Sequence, residues 1–251
     1  SGVAAVPGGR ILYRSLESRV PSIWSMNADG SQRVQITTDG VSSWPAITPD
    51  GRSIIYSREG SGLWRVGIDG QRAGPIPGGA GGSFPQVTPD GRSIIFTGGA
   101  AGGDLDESLL SLPLDGGMPT SLLPPDVGGA RAAVSPDGTQ LAFYYHERGG
   151  SMFLAVMPIG GSQPTRKFEV APSVAFAQVR WTPDGKALLH NSALADRANV
   201  WLQPLDGGPP RKVTRFSDQV IFAFEPTADG KNLIVARGTL SRDAVLIRNF
   251  R

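Results

Sequence analysis

The sequence holds no cysteine and only two histidines, His146 and His190, in 251 residues. The first absence excludes a disulfide framework and a thiolate metal centre but leaves the compartment open, because exported and cytosolic chains alike do without cysteine. The second leaves too few imidazoles for a His-rich metal centre. No Gly-x-Ser-x-Gly occurs, so a nucleophile elbow is missing, and neither a His-Arg-Asp loop nor an Asp-Phe-Gly marks a kinase catalytic domain. No uninterrupted apolar stretch reaches the length of a membrane span, so membrane insertion within this segment is not expected. The chain opens on Ser1-Gly2 with neither a charged n-region nor an apolar h-region, which reads as a piece of something longer. Charge of one sign is lacking too. Lys and Arg total 24 against 22 Asp and Glu, a formal charge of +2, and the basic residues are scattered singly, so nucleic acid has no footprint to bind. No window carries a sustained helical period.

What is abundant is glycine (34) and proline (21), without a collagen-like period, beside 39% apolar residues. That combination suits many short strands joined by many turns. One stretch organises them. Thr48-Pro49-Asp50-Gly51-Arg52-Ser53-Ile54-Ile55-Tyr56 returns as Thr88-Pro89-Asp90-Gly91-Arg92-Ser93-Ile94-Ile95-Phe96, with looser copies at Ser135 to Gly138, Thr182 to Gly185 and Thr227 to Gly230, and a degenerate one at Pro7-Gly8-Gly9. Proline presets φ, aspartate bonds local backbone and glycine accepts the left-handed conformation, so each copy reads as a hairpin turn before an apolar strand. The turn glycines recur at intervals of about 40 to 47 residues, the length of a four-stranded propeller blade. A second turn divides each repeat, at Asp29-Gly30, Asp69-Gly70, Asp115-Gly116, Gly160-Gly161 and Asp206-Gly207.

Six first turns predict an all-β fold: a single domain over 1–251, a six-bladed β-propeller of four-stranded antiparallel blades. The last blade, ending in a strand at 244–250, is expected to be three-stranded or completed by residues upstream of Ser1, since an open ring leaves an edge unpaired.

The Pro-Asp-Gly turn followed by an apolar strand resembles the repeat of TolB-like bacterial propellers over essentially the whole chain. Residues 216–224 (Phe-Ser-Asp-Gln-Val-Ile-Phe-Ala-Phe) and 236–247 are similar to the closing blade of propellers at the C-terminal end of bacterial transmembrane Ser/Thr kinases and of some winged-helix regulators. The sequence departs from that pattern at Glu225-Pro226-Thr227-Ala228, where the usual Ser-Pro is displaced. The motif is specific for architecture and weak for function, because such propellers serve in binding proteins, protease domains and fused sensors.

Most residues that invite a chemical reading have a structural one. Asp50, Asp90, Asp137, Asp184 and Asp229 are needed to hold their turns and are not expected to form a catalytic ring. His190 falls in the slot of Tyr56, Phe96, Phe143 and Val235, where a packed ring suffices, and His146 is expected in a solvated loop. Trp24, Trp64 and Trp201 share one slot in three blades, which is a packing rule. Asp104, Asp106 and Glu107 lack EF-hand spacing, and the run Gly78 to Gly82 opens no helix and reads as a flexible connection. No metal, cofactor or catalytic residue is assigned.

The repeat varies instead six residues before each turn aspartate, where Trp44, Phe84, Arg131, Gln178 and Ala223 stand at the start of the innermost strand. In a propeller this is one mouth of the channel, where ligands and partner side chains bind. Trp44, Phe84, Arg131 and Gln178 are therefore the candidate binding residues. Two residues further on stand Ala46, Gln86, Ala133, Arg180 and Glu225, and Arg180 with Glu225 is expected to form a charged pair across adjacent blades. The connections at 14–22, 57–62, 98–108, 146–152, 191–199 and 238–243 vary on the same face, where recognition is usually built. The expectation is a non-enzymatic propeller that binds a protein or small ligand on this face. The resemblance implies the C-terminal sensor module of a bacterial signalling protein such as a transmembrane Ser/Thr kinase, or else a free-standing periplasmic TolB-like envelope protein, in both cases extracytoplasmic rather than cytoplasmic. A metal-dependent propeller lyase or hydrolase would need converging ligands that the sequence hardly offers.

Overall fold

The computed structural model describes residues 2–38, 40–99, 107–124, 127–147, 151–161, 163–170, 178–191 and 199–239. Its strands form antiparallel sheets that follow one another along the chain. The first holds β1 (Val3–Val6), β2 (Arg10–Ser15), β3 (Ser22–Asn27) and β4 (Val34–Gln35). The second holds β5 (Ser42–Ile47), β6 (Ser53–Arg58), β7 (Gly62–Gly67) and β8 (Gly74–Ala80). The third holds β9 (Ser83–Val87), β10 (Ser93–Gly98), β11 (Ser108–Pro113) and β12 (Thr120–Ser121). The fourth holds β13 (Val127–Val134), β14 (Gln140–Glu147), β15 (Met152–Pro158) and β16 (Arg166–Glu169). The fifth holds β17 (Val179–Trp181), β18 (Ala187–His190), β19 (Trp201–Pro204) and β20 (Arg211–Lys212), and β21 (Val220–Pro226) pairs with β22 (Leu233–Gly238). Each first strand packs beside the first strand of the next sheet from β1 to β17, and β21 packs beside β1. A hydrogen bond and an ion pair link β21 to the start of the fifth sheet, closing the circle.

The fold is thus a β-propeller, but among the described residues the expected six four-stranded blades number five. The sixth place in the circle is held by the two-stranded sheet β21–β22 among the described residues, and the strand expected at 244–250 lies outside them.

The second to fifth blades and the sixth sheet are each registered by the first turn. In the second blade the Thr48 hydroxyl donates to Asp50 Oδ1 (2.6 Å), the Arg52 N–H donates to the same oxygen (3.0 Å) and the Ser53 N–H donates to Thr48 Oγ1 (3.0 Å). Gly51, at φ 70°, turns the chain so that its N–H reaches the Thr48 carbonyl at 2.8 Å. The hydroxyl-to-aspartate bond recurs at 2.6 Å in Thr88–Asp90, Ser135–Asp137, Thr182–Asp184 and Thr227–Asp229. All five aspartates thus serve the turns.

The core is a set of layers between blades. Along β6, Ile54 and Tyr56 pack toward the first blade with Leu12 and Ile23, while Ile55 faces the third blade with Ile94 and Phe96. Along β14, Leu141, Phe143 and Tyr145 face one neighbour while Ala142 and Tyr144 face the other. Both sheet faces are buried, so the second strands read as continuous apolar runs. Each such side chain contributes about 1.5–3 kcal/mol by leaving water. The outer strands β4, β12 and β20 are short and exposed, which blunts their edges.

Two expectations change. Gly78 to Ala80 belong to β8 rather than to a flexible connection, because the close approach needs glycine: a Cβ on Gly79 would lie 2.7 Å from that of Leu63, and one on Gly82 would lie 2.8 Å from Leu63 and Phe96. His146 sits within β14, opposite Gly128 in β13, and its ring fills the space a side chain there would need.

The turn aspartates generate a testable pH dependence. Hydrogen bonds from the Thr or Ser hydroxyl, then from the backbone N–H two residues on, hold each carboxyl below its ordinary 3.8. The unfolded chain then takes up protons first, so this stabilisation is complete above about pH 4 and is lost as the pH falls through 3.8 and below. Thermal melts between pH 6 and 3 are expected to show that loss, and Asp90→Asn is expected to lower the melting temperature at pH 6 and to make the acid limb shallower. Equal acid sensitivity in the variant would contradict the assignment.

Candidate functional site at the channel mouth

Three of the four residues proposed for the mouth share an unusual backbone. Trp44, Phe84 and Arg131 have φ of 55°, 52° and 58°. In each blade the innermost strand spends two residues against one of its neighbour at this point: Trp44-Pro45 opposite Tyr56, Phe84-Pro85 opposite Phe96, and Arg131-Ala132 opposite Phe143. This is a β-bulge whose left-handed position is usually given to glycine. A side chain there costs about 1–2 kcal/mol. Pro45 and Pro85 fit the second position because it need not donate to the ladder. Bulky residues thus stand at a strained backbone position in three successive blades and converge on one opening.

The bulges bring the three side chains together. The Trp44 and Phe84 rings lie 4.4 Å apart at 49°. The Arg131 guanidinium lies 4.5 Å from the Phe84 ring centre and 5.9 Å from that of Trp44, within range of a cation–π attraction. Burial lowers the Arg131 pKa from its ordinary value, with Glu107 acting the other way. The Arg131 N–H donates to Thr97 Oγ1 (3.0 Å), which fixes the bulge to the third blade. On the opposite side stands Gly2, where a Cβ would lie 2.9 Å from the Trp44 Cα and 2.8 Å from the Pro45 ring. The glycine lets the Trp44 backbone close over the first blade.

Gln178 also lines the mouth but is engaged as an inter-blade staple. It is 3% exposed, its carbonyl accepts from the Tyr144 hydroxyl (3.1 Å), and its amide oxygen accepts from the Phe224 N–H (3.0 Å). Its own N–H donates to Asn191 Oδ1 (2.7 Å). One level deeper, the Arg180 Nε–H donates to Glu225 Oε2, with side chains 14% and 24% exposed. The Arg180 Nη1 also donates to the Val179 carbonyl at 2.8 Å. Breaking a largely buried pair strands the remaining charge, so this contact ties the sixth sheet to the fifth blade. Between these levels the space amounts to about 20 Å³, room for one water and not for an organic ligand.

Other residues singled out by sequence take structural places. His190 is buried in β18, and desolvation pushes its pKa from 6.5 down to about 4. The Trp64 Nε1–H donates to Ser61 Oγ (2.8 Å), Lys212 covers Trp201 at 5.3 Å, and neither indole reaches the mouth. Among the described residues no group of three or more His, Asp or Glu converges. The acidic pair Asp104 and Asp106 lies outside the described residues, as do most of three of the six variable connections and part of a fourth. What sequence reading misses is the bulge itself, whose only trace is the recurrence of Trp-Pro and Phe-Pro at 44–45 and 84–85.

No protein-family model matches the sequence, and no curated protein matches it. Solved structures match the fold. TolB from Acinetobacter baumannii superposes with a TM-score of 0.71 at 20% identity, covering 82% of this chain and 52% of its own. This chain therefore spans about half the length of that protein. A gluconolactonase from Xanthomonas campestris gives 0.70 at 16% identity over 95% of this chain and 82% of its own. An oligogalacturonate lyase from Vibrio parahaemolyticus gives 0.57 at 13% identity over 90% and 67%. The shared property is the propeller, TolB-like in its blades, and it does not select among functions.

Two predictions follow from the geometry. At position 44 the usual order of alanine and glycine is expected to invert: Trp44→Gly should be more stable than Trp44→Ala by about 1 kcal/mol in urea denaturation, because glycine carries no penalty at positive φ. Alanine at least as stable as glycine would show that the left-handed bulge is absent. For His190, the folded value lies below the unfolded 6.5, so the unfolded chain binds the proton first, and stability present above pH 6.5 is lost as the pH falls toward about 4. The loss is about 3 kcal/mol at most. His190→Phe, matching Phe96 and Phe143, is expected to flatten denaturation midpoints between pH 6.5 and 4. An unchanged slope would refute the burial of a neutral ring.

Proposed function

We propose that the chain is a non-enzymatic binding propeller, acting as one unit over residues 1–251, that engages a partner protein on its variable-loop face through Trp44, Phe84 and Arg131. The observation that carries this reading is the triple bulge. Backbone strain is accepted in three consecutive blades, and its effect is to present an aromatic pair capped by a guanidinium at the mouth. Trp, aromatic and Arg side chains are the usual anchors of protein interfaces. The 20 Å³ left beneath them favours a partner that docks on the cluster over a small molecule enclosed by it. Leu16 and Val20, in the connection after β2 on the same face, are exposed apolar residues that extend such a surface.

The likeness of residues 216–224 and 236–247 to closing blades of signalling proteins supports a role as the C-terminal sensor module of a bacterial membrane kinase or regulator. The likeness of the fold to TolB supports a second reading, a free-standing periplasmic envelope protein. Both place the partner outside the cytoplasm. The sequence upstream of Ser1 separates them: a kinase domain and membrane span favour the first, a cleavable export signal the second.

The test is photocrosslinking in cells that carry the full-length protein. Benzoylphenylalanine at position 84 is expected to give a discrete protein adduct, and the same probe at Lys186, beside a first turn on the opposite face, is expected to give none. Trp44→Ala or Arg131→Ala should reduce the adduct tenfold or more, an effect of about 1.4 kcal/mol or greater. Equal adducts from both faces, or full adduct yield in both alanine variants with the fold intact, would remove the site.

A further inference from the structure

Beside the mouth, on the same face, the connection after β6, the end of β2 and the turn after β8 enclose a pocket of about 490 Å³, within the range of small-molecule sites. Its wall includes Arg14, Ser43, Trp44, Ser57, Arg58 and Glu59. Arg14, Arg58 and Glu59 are the charged residues on that wall among the described residues, a net of one positive charge. Arg58 is stacked 4.1 Å over the Trp64 ring. Arg14 differs: its Nε is buried with no hydrogen-bond partner among the described residues. The Ser57 hydroxyl, on a residue 8% exposed, is equally without a partner among them. Both donors lie beneath the pocket wall and not on its open surface, and buried donors left unmade are costly, so an acceptor supplied in the pocket would favour turning the Arg14 guanidinium toward it. The pocket is also held open. The Glu59 N–H donates to the Val41 carbonyl (3.0 Å), the Ser61 N–H donates to the Arg58 carbonyl (3.1 Å), and Gly82 packs where a side chain would strike Leu63 and Phe96.

From this arrangement we infer that the pocket binds an organic carboxylate with a planar or apolar body, its carboxylate on Arg14 and its body against Trp44. A guanidinium meets the two oxygens of a carboxylate side by side, and one net positive charge balances a monoanion where a phosphate dianion would remain under-neutralised. Trp44 supplies the apolar wall. The carboxylate can belong to a free acid or to the C-terminus of a polypeptide. The site shares Trp44 with the mouth cluster but takes its carboxylate on Arg14, and neither Arg14 nor Ser57 has a part in that cluster.

Calorimetric titration of the full chain tests it with benzoate, indole-3-acetate, their carboxamides, inorganic phosphate, and a tripeptide ending in phenylalanine as free acid and as amide. At least one acid is expected to bind about tenfold or more tighter than its amide, and phosphate more weakly than that acid. Arg14→Gln should abolish the preference, while Lys186→Gln and Lys212→Gln keep it; the mouth cluster is read separately by the crosslink at position 84, so failure here is distinguishable from failure there. A preference confined to the small acids identifies a free metabolite, and one confined to the tripeptide identifies a chain terminus. Acids and amides binding alike, phosphate binding best, or no acid binding at about 10 mM would overturn the inference, and the acid–amide comparison needs no variant to fold.

Discussion

The register between the first and second strand of each blade governs what stands at the channel mouth. It is pinned at one end by a hydroxyl, a carboxylate and a glycine, as in Thr48, Asp50 and Gly51. Counting back from that turn decides which residue reaches the mouth. Counting forward decides which one fills the buried slot opposite, Tyr56, Phe96, Phe143 or His190. A slip of one residue would turn every side chain to the other face and carry Ile54 and Ile55 into each other's layers. The turn is exposed and polar, yet the core depends on it.

At the far end of the same strands the register is deliberately broken. The bulge lets the strand carry one residue more than its partner, and that residue leaves the ladder for the axis. Where the slot opposite holds a Tyr or Phe ring, as in the second, third and fourth blades, the bulge is present. In the fifth blade His190 pairs regularly with Val179, and Gln178 is drawn into hydrogen bonds between blades. The mouth is therefore lopsided. Trp44, Phe84 and Arg131 fill one arc, Gly2 adds no side chain on the other, and the Arg180–Glu225 pair ties the junction beneath.

Much of this was legible in the residues, for identifiable reasons. Turns are local, so Pro-Asp-Gly and its copies announce themselves, and apolar runs between turns mark strands buried on both faces. The position of Trp44, Phe84 and Arg131 at the mouth follows from counting, as does the proximity of Arg180 to Glu225. What escapes counting depends on contacts between blades. The left-handed bulge has no glycine to betray it. The glycines at 78, 79 and 82 look like a loose linker until the Gly117 carbonyl and Leu112 are seen to occupy the space beside the first, and Leu63 and Phe96 the space beside the others. His146 looks like a loop residue because β14, at eight residues, runs longer than most second strands. Gln178 looks like a ligand contact because nothing in sequence shows Tyr144, Asn191 and Phe224 converging on it. The number of complete blades was overcounted because a first turn announces only the two strands that flank it: Asp229-Gly230 joins β21 to β22 and says nothing about a third or fourth strand.

A fold shared by TolB, a gluconolactonase and a lyase cannot by itself select a function, so the selection has to be sought where the repeat departs from its own rule. The shared positions, the turn aspartates and the slot rings, answer to stability alone, and their chemistry is explained once the hairpins and layers are built. The departing positions are not needed for that. The sixth sheet also shifts register here, between Ile221 and Ala223, yet an alanine serves the mouth position without a positive φ, and an alanine, as at Ala46 or Ala133, serves the level below. Tryptophan, phenylalanine and arginine on strained backbone therefore represent stability given up in three places. Mutation and selection tend to remove such costs unless something is gained, and the partner binding proposed for the mouth is a gain that would offset them.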